Sequence, residues 1–324
     1  MKSFERKYFV NGNPIMMFKN SIKLLCANFA EVWKLLVYHI VSIAFCIGLL
    51  AIFHGQYWEW ATLAYNDAGL ASVFGSGTFY GGAGIANTLT AFANFVIYFF
   101  GIMFSSNAWI GVYFIFVTFF LLPLLMNIGK VVTCELMYGY MSACQKQSFT
   151  GTFIKTIKSS LSYSLIKVIY ALPFNALVVL SMWGLTRLDG KVFDYIMPFL
   201  IAIAPALLMA IKSLFNAGWA PAKVVYNHNI FRSYKIGMRA VWRKGEKVFS
   251  TAFILYLLAI VLSFVLGIYS IIIILPIISP LVHIFEMVAF FTSQGMRFYV
   301  DGDTIFSPKK LEENDKIEDA KYIL

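Results

Sequence analysis

The chain has 324 residues, 60% of them hydrophobic, 18% aromatic and 13% charged, with a mean hydropathy of +0.75. A soluble domain carries about 25% charged residues, and a chain of this length could not hide so much apolar surface from water, so the bilayer is its solvent. The net charge of +10 lies in short segments between apolar runs, with no recognition module beside it, which excludes nucleic acid as a partner.

In chain order, a basic stretch over residues 15–34 comes first. Ile15, Phe18, Ile22, Leu25, Phe29 and Val32 recur there at intervals of three and four, with Lys19, Lys23, Glu31 and Lys34 placed elsewhere. At 100° per residue these apolar positions share one face, which predicts an amphipathic helix on the membrane surface, its cations among anionic headgroups. Six apolar runs follow at 35–53, 108–128, 161–184, 195–215, 248–268 and 270–296. Each is near the 20 or so helical residues that a hydrocarbon core of about 30 Å requires. The last two are joined near Gly267 as a tight hairpin. The first follows a mixed-charge stretch and reads as a retained anchor rather than a cleaved signal.

Between the first two runs lies an insert over 54–105. Gly55, Gly69, Gly75, Gly77, Gly81, Gly82 and Gly84 alternate there with Tyr57, Trp58, Trp60, Phe74, Phe79 and Tyr80. Such sequence suits an interfacial cap, and a long structured loop is a natural place for an outward-facing site. Residues 86–104 are apolar, but a seventh crossing there would move Lys146, Lys155 and Lys158 to the other side. They are therefore predicted as an interfacial or re-entrant helix.

With both termini in the cytoplasm, 23 of the 26 lysines and arginines fall inside. Only Arg187 and Lys191 face outward, and Lys167 lies within a span. A second basic amphipathic belt precedes the fifth run: Phe231, Tyr234, Met238 and Val241 share a face, flanked by Arg232, Lys235, Arg239, Arg243 and Lys244. Cys26, Cys46, Cys134 and Cys144 form neither a CxxC pair nor a zinc spacing, and are predicted reduced and structural.

An internal repeat organises the runs. Pro123, Pro205 and Pro280 each lie in an even-numbered run, and Phe149, Phe231 and Phe306 each follow 26 residues later. Phe18, Lys19, Ala27, Phe29 and Lys34 also align without a gap on Phe231, Arg232, Ala240, Trp242 and Lys247. The predicted fold is therefore an all-α integral membrane domain over 1–324, six transmembrane helices in three repeated hairpins. The units span about 15–149, 150–231 and 232–306, with the insert in the first and a cytoplasmic tail at 301–324.

Ionisable groups at membrane depth cost about 2.5–3.5 kcal/mol each on insertion scales, which makes them functional candidates. On the last run His283, Glu286, Ser293 and Arg297 fall on one face. On the second, Asn127, Lys130 and Cys134 share a face, with Glu135 beside it. Lys130 is placed either to pair with Glu286 across the bundle or, like Lys167, to snorkel along its own stem. Glu286 is read either as a transport or proton-handling group or as half of a structural interhelical bond. His283 and Glu286 are spaced as two metal ligands, but His39, His54 and His228 lie at other depths, so no metal or cofactor is predicted. No GxSxG, HExxH or Walker-type motif is present.

The run Asn216-Ala-Gly-Trp-Ala-Pro-Ala222, between a span and a basic amphipathic helix, and the closing Arg297-Phe-Tyr-Val-Asp301 carry a resemblance. Together they resemble a broad group of bacterial six-helix membrane proteins, which includes the membrane region fused to some glycerophosphodiester phosphodiesterases. The resemblance implies a bacterial cytoplasmic membrane protein and brings no catalytic residues with it, since no hydrolase domain accompanies these motifs. The expectation is a non-enzymatic multi-pass protein, a transporter component or a scaffold for lipid or envelope processes. Its partners would be membrane lipids with anionic headgroups, and a membrane protein or a second copy of the chain. The alternative is a membrane-embedded lipid-modifying enzyme at the inner interface, drawing on Lys130, Glu135, Tyr138, His228 and Arg297.

Overall fold

A computed structural model describes residues 14–75, 82–142, 148–185, 191–266, 274–296 and 298. Among them the regular structure is helical throughout: α1 (Pro14–Ala27), α2 (Phe29–Leu50), α3 (His54–Asp67), α4 (Leu70–Gly75), α5 (Gly82–Ser106), α6 (Ala108–Ile115), α7 (Leu122–Met141), α8 (Phe149–Leu185), α9 (Lys191–Asn216), α10 (Trp219–Tyr226), α11 (Ile230–Trp242), α12 (Gly245–Leu266) and α13 (Ser279–Gln294). Arg297, the junction at Gly267 and the tail 301–324 lie outside the described residues.

Among the described residues six helical stretches are long and apolar enough to cross a bilayer: Phe29–Asp67, Ala108–Met141, Phe149–Val178, Ile203–Tyr226, Gly245–Ser263 and Pro276–Gln294. Each overlaps one predicted run, but the first extends over 39 residues and the second over 34, well past the 20 or so that a crossing needs. Large apolar side chains stand exposed in long stripes, Trp33, Val37, Ile40, Val41 and Phe45 along α2 and Ile154, Ile157, Leu161, Leu165 and Ile169 along α8. Such stripes are unfavourable against water and neutral against acyl chains. The chain is a multi-pass membrane protein.

The last span is unlike the others. Leu281 and every residue from Ile284 to Ser293 are buried, and α13 packs against α1, α7, α10, α11 and α12. It is the central post of the bundle, apolar on nearly all sides because protein rather than lipid surrounds it. Gly295, at φ 72°, closes it in the left-handed region where glycine carries no steric cost.

Two spans share a local device. A π-helical turn at Phe116–Leu121 ends two residues before Pro123, and another at Ile274–Ile278 ends two residues before Pro280. A proline removes one intrahelical donor and crowds the preceding turn, and a wider π turn is one way a helix absorbs that defect. In α9, Pro205 lies in a helix without such a turn.

At the basic end, the segment predicted as one helix over 15–34 is two. α1 stops at Ala27, and Asn28 (φ −114°, ψ 18°) turns the chain into α2 while its amide donates to the Leu24 carbonyl at 3.0 Å. The predicted apolar face is also split. Leu25 and Val32 enter the core, whereas Ile15, Ile22 and Phe29 face outward. A second face of α1, with Met17, Ser21 and Leu24, is buried, and α1 packs on α12 and α13. The helix therefore docks on protein as well as presenting an exposed apolar edge. In α11 small residues do the docking: Ser233, Gly237, Ala240 and Val241 are buried, and a Cβ on Gly237 or Gly218 would overlap the other's backbone. The belt cations Arg232, Lys235, Arg239 and Arg243 remain exposed, with Lys244 half-buried.

The described parts of the insert are helical apart from a turn at Ala68 and Gly69. α3 continues α2 through a single 3-10 turn at Ala51–Phe53, and α5 packs over α3, α4, α6 and α9. Asn107, extended at φ −154° and ψ 96°, ends that excursion and caps α6 by accepting from the N–H groups of Trp109 and Ile110.

Candidate functional site

Three helices contribute lysines to one cavity within the bundle. It measures ≈ 220 Å³ and is lined by Asn127 and Lys130 of α7, Lys167 and Asn175 of α8, Lys212, Ser213 and Asn216 of α9, Tyr256 of α12, and His283 and Glu286 of α13. Pro123 and Phe119, which flank the first π turn's end, also line it. At this depth each polar side chain is a departure from the surrounding apolar sequence, and here they converge.

Lys130 and Glu286 form an ion pair, with side chains 4% and 5% exposed. Of the two arrangements open to Lys130, the structure takes the cross-bundle pair. Lys167 does not snorkel out: it is 8% exposed, lies beside Lys130, and its ammonium sits 5.4 Å from the centre of the Tyr163 ring. Lys212 donates to the Asn175 carbonyl oxygen at 2.7 Å, and Asn175 lies at the exposed rim. Deeper in, Ser213 donates to the Tyr256 hydroxyl at 3.1 Å. Asn216 is 4% exposed, and neither its amide nitrogen nor its oxygen has a hydrogen-bond partner among the described residues. The same holds for Nδ1 of His283.

The other predicted site residues are distributed differently. Ser293 is buried on α13 two turns below Glu286, and its hydroxyl finds no partner among the described residues. Glu135 pairs with Lys155 at 3.3 Å near the basic end. Tyr138 packs on Phe291 at 6.2 Å, and His228 stacks on Tyr226 at 6.0 Å. Of the groups named for an interfacial enzyme, Lys130, Glu135, Tyr138 and His228 thus take separate partners. Among the described residues no three of His, Cys, Asp and Glu gather as metal ligands.

Lys212 is absent from the sequence-based candidates: it lies near the cytoplasmic end of the fourth run, 195–215, and falls among the 23 inside cations. A signal existed: Lys212 follows Pro205 by seven residues, as Lys130 follows Pro123, and Glu286 follows Pro280 by six. Three proline-bearing spans therefore each bring an ionisable group to the same cavity.

A larger crevice of ≈ 360 Å³ lies in the insert, between the α2–α3 helix and α5, lined by Ile47, Leu50, His54, Tyr57, Trp58, Phe95 and Phe99. Its walls are almost wholly apolar, so it offers acyl-chain contact but little chemistry.

Fold and cavity together define a multi-pass helical membrane protein with a polar, lysine-rich chamber inside its bundle. No family model, no curated protein and no solved structure matches the chain.

Proposed function

We propose that the chain is a transport protein, or the membrane component of one, and that the chamber around Glu286 is its solute site. The observation that carries this reading is the chamber: a ≈ 220 Å³ volume at membrane depth into which Lys130, Lys167, Lys212 and Glu286 all reach. A structural bond would need only the Lys130–Glu286 pair. Additional buried cations raise the cost of insertion, and residues kept at such cost mark solute or ion pathways.

The helices around the chamber also favour movement. Two of them carry a π turn beside a proline, a place where a helix bends with little loss of hydrogen bonding. With the basic end in the cytoplasm, as the distribution of lysine and arginine supports, the exposed rim at Asn175 is directed towards the outer side. The sequence resemblance favours a bacterial cytoplasmic membrane as the setting.

Substituted-cysteine labelling tests the reading without knowledge of the solute. Ser213→Cys and Asn175→Cys would each be placed in a chain whose native cysteines are alanine. A membrane-impermeant maleimide is then applied to right-side-out and inside-out vesicles. A transport protein exposes the deep Ser213 position to both sides in turn. Protection of that position from both sides would sink the proposal and leave a scaffold.

A further inference from the structure

The chamber's charge is unbalanced. Lys130 is answered by Glu286, the one carboxylate among the described residues that line the chamber. Lys167 has Lys130 and the Tyr163 ring beside it, with Glu286 and Lys212 also near, and Lys212 donates to the neutral Asn175 oxygen. Three lysines thus share a low-dielectric space with one carboxylate, and that carboxylate is already paired with Lys130. Their mutual repulsion and their desolvation are both relieved by an anion placed between them.

We infer that the chamber binds a phosphate-bearing molecule, its oxyanion held by Lys167 and Lys212 while Glu286 occupies Lys130. The inference takes the chamber as the solute site proposed above. A phosphate monoester carries roughly −1.5 to −2 charges near neutral pH, which matches two lysines; a carboxylate would leave one unanswered. Asn216 adds an independent observation, because its buried amide lines the same space without a protein partner. It supplies the neutral N–H donors that an oxyanion with several lone pairs accepts. The volume of ≈ 220 Å³ is smaller than a drug-sized pocket of about 300–1,000 Å³, and it suits a phosphate group with a short polar remainder.

Either a soluble phosphate ester or an anionic lipid headgroup supplies that chemistry, and the test separates them. Full-length protein carrying Ser213→Cys is placed in phosphatidylcholine nanodiscs, and maleimide labelling is followed in the presence of inorganic phosphate or glycerol 3-phosphate. A parallel series uses discs containing phosphatidic acid. Protection by the soluble probes identifies a soluble ester as the ligand. Protection by phosphatidic acid alone identifies a lipid headgroup. In either case Lys167→Gln and Lys212→Gln should each raise the half-protecting concentration about tenfold or more, as expected for losing a charged hydrogen bond.

Lys212→Arg should retain protection, and because Lys212 lies towards the rim its variants keep the test open if Lys167→Gln does not fold. The inference is overturned if no probe slows labelling, or if protection is unchanged in the lysine-to-glutamine variants. Labelling from both sides without phosphate protection would remove the ligand class alone. Phosphate protection with one-sided labelling would remove transport and leave a binding site.

Discussion

Lys130 and Glu286 are 156 residues apart in sequence and form an ion pair in the middle of the bundle, both almost wholly buried. A buried pair is held by mutual attraction against a desolvation cost of similar size. Removing one partner leaves the other charged and alone. Glu286→Gln is therefore expected to cost about 3–5 kcal/mol, read as a lowered midpoint of unfolding in detergent. Lys130→Met combined with Glu286→Met should restore most of that loss. A tolerated Glu286→Gln would contradict the pairing.

Gly218 and Gly237 place the backbones of α10 and α11 in direct contact. Because the obstacle to a methyl group at either position is backbone, the helices must separate to admit one. Gly218→Ala and Gly237→Ala should each lower stability by roughly 1–3 kcal/mol or more, and Trp219 should lose its hydrogen bond to the Ile230 carbonyl, visible in tryptophan emission. Gly48→Ala is the control, since a Cβ there meets nothing within 4 Å. It should be neutral or slightly stabilising, as for alanine in a helix interior.

These two relationships differ in how far they could be read from sequence. Hydropathy and basic-residue spacing located the six spans and the amphipathic helices at the basic end, because both signals are local in the chain. Glu286 stands out as a charge within an apolar run and Lys130 as one just past the end of another. Their pairing is one of two arrangements the sequence leaves open, because the choice depends on which spans are neighbours. Hydropathy likewise cannot separate a lipid partner from a protein one, so the central place of α13 was hidden, as was the second, protein-facing side of α1. Lys212 is hard to single out for a different reason. A lysine near a span's end looks like a topology signal, and only its offset from Pro205, shared with Lys130 and Pro123, marks it as part of the chamber.

The lipid-facing stripe of α2 makes a prediction about insertion. Phe45 is 54% exposed and Leu35, two to three turns away, is 1% exposed. Leu35→Ala opens a cavity in the core and should cost about 2–5 kcal/mol, whereas Phe45→Ala changes only a lipid contact and should leave unfolding nearly unaltered. Phe45→Lys reverses the order: it should reduce membrane integration by an amount near 2.5–3.5 kcal/mol on insertion scales. An in vitro insertion assay beside a detergent unfolding curve checks both, and equal behaviour of the two alanine variants would contradict a lipid-facing Phe45.

Tyr170 and Tyr234 join span three to α11, their hydroxyls 2.5 Å apart and their rings packed on Trp219 at 5.6 and 4.8 Å. Burial, with the Tyr170 hydroxyl adding to it, raises the Tyr234 phenol above its ordinary value of 10.0. Between that value and the raised one, the folded chain keeps a proton that the unfolded chain has lost. The stabilisation is therefore complete below the ordinary value and is lost as pH climbs through the raised one. Tyr234→Phe removes this titration and keeps the ring. Unfolding temperatures at about pH 9 and pH 11 should show the unmodified chain losing more stability than Tyr234→Phe, since every other group titrates in both. Equal losses would mean that the Tyr234 hydroxyl is solvated like a free phenol and that α11 is not held to span three through it.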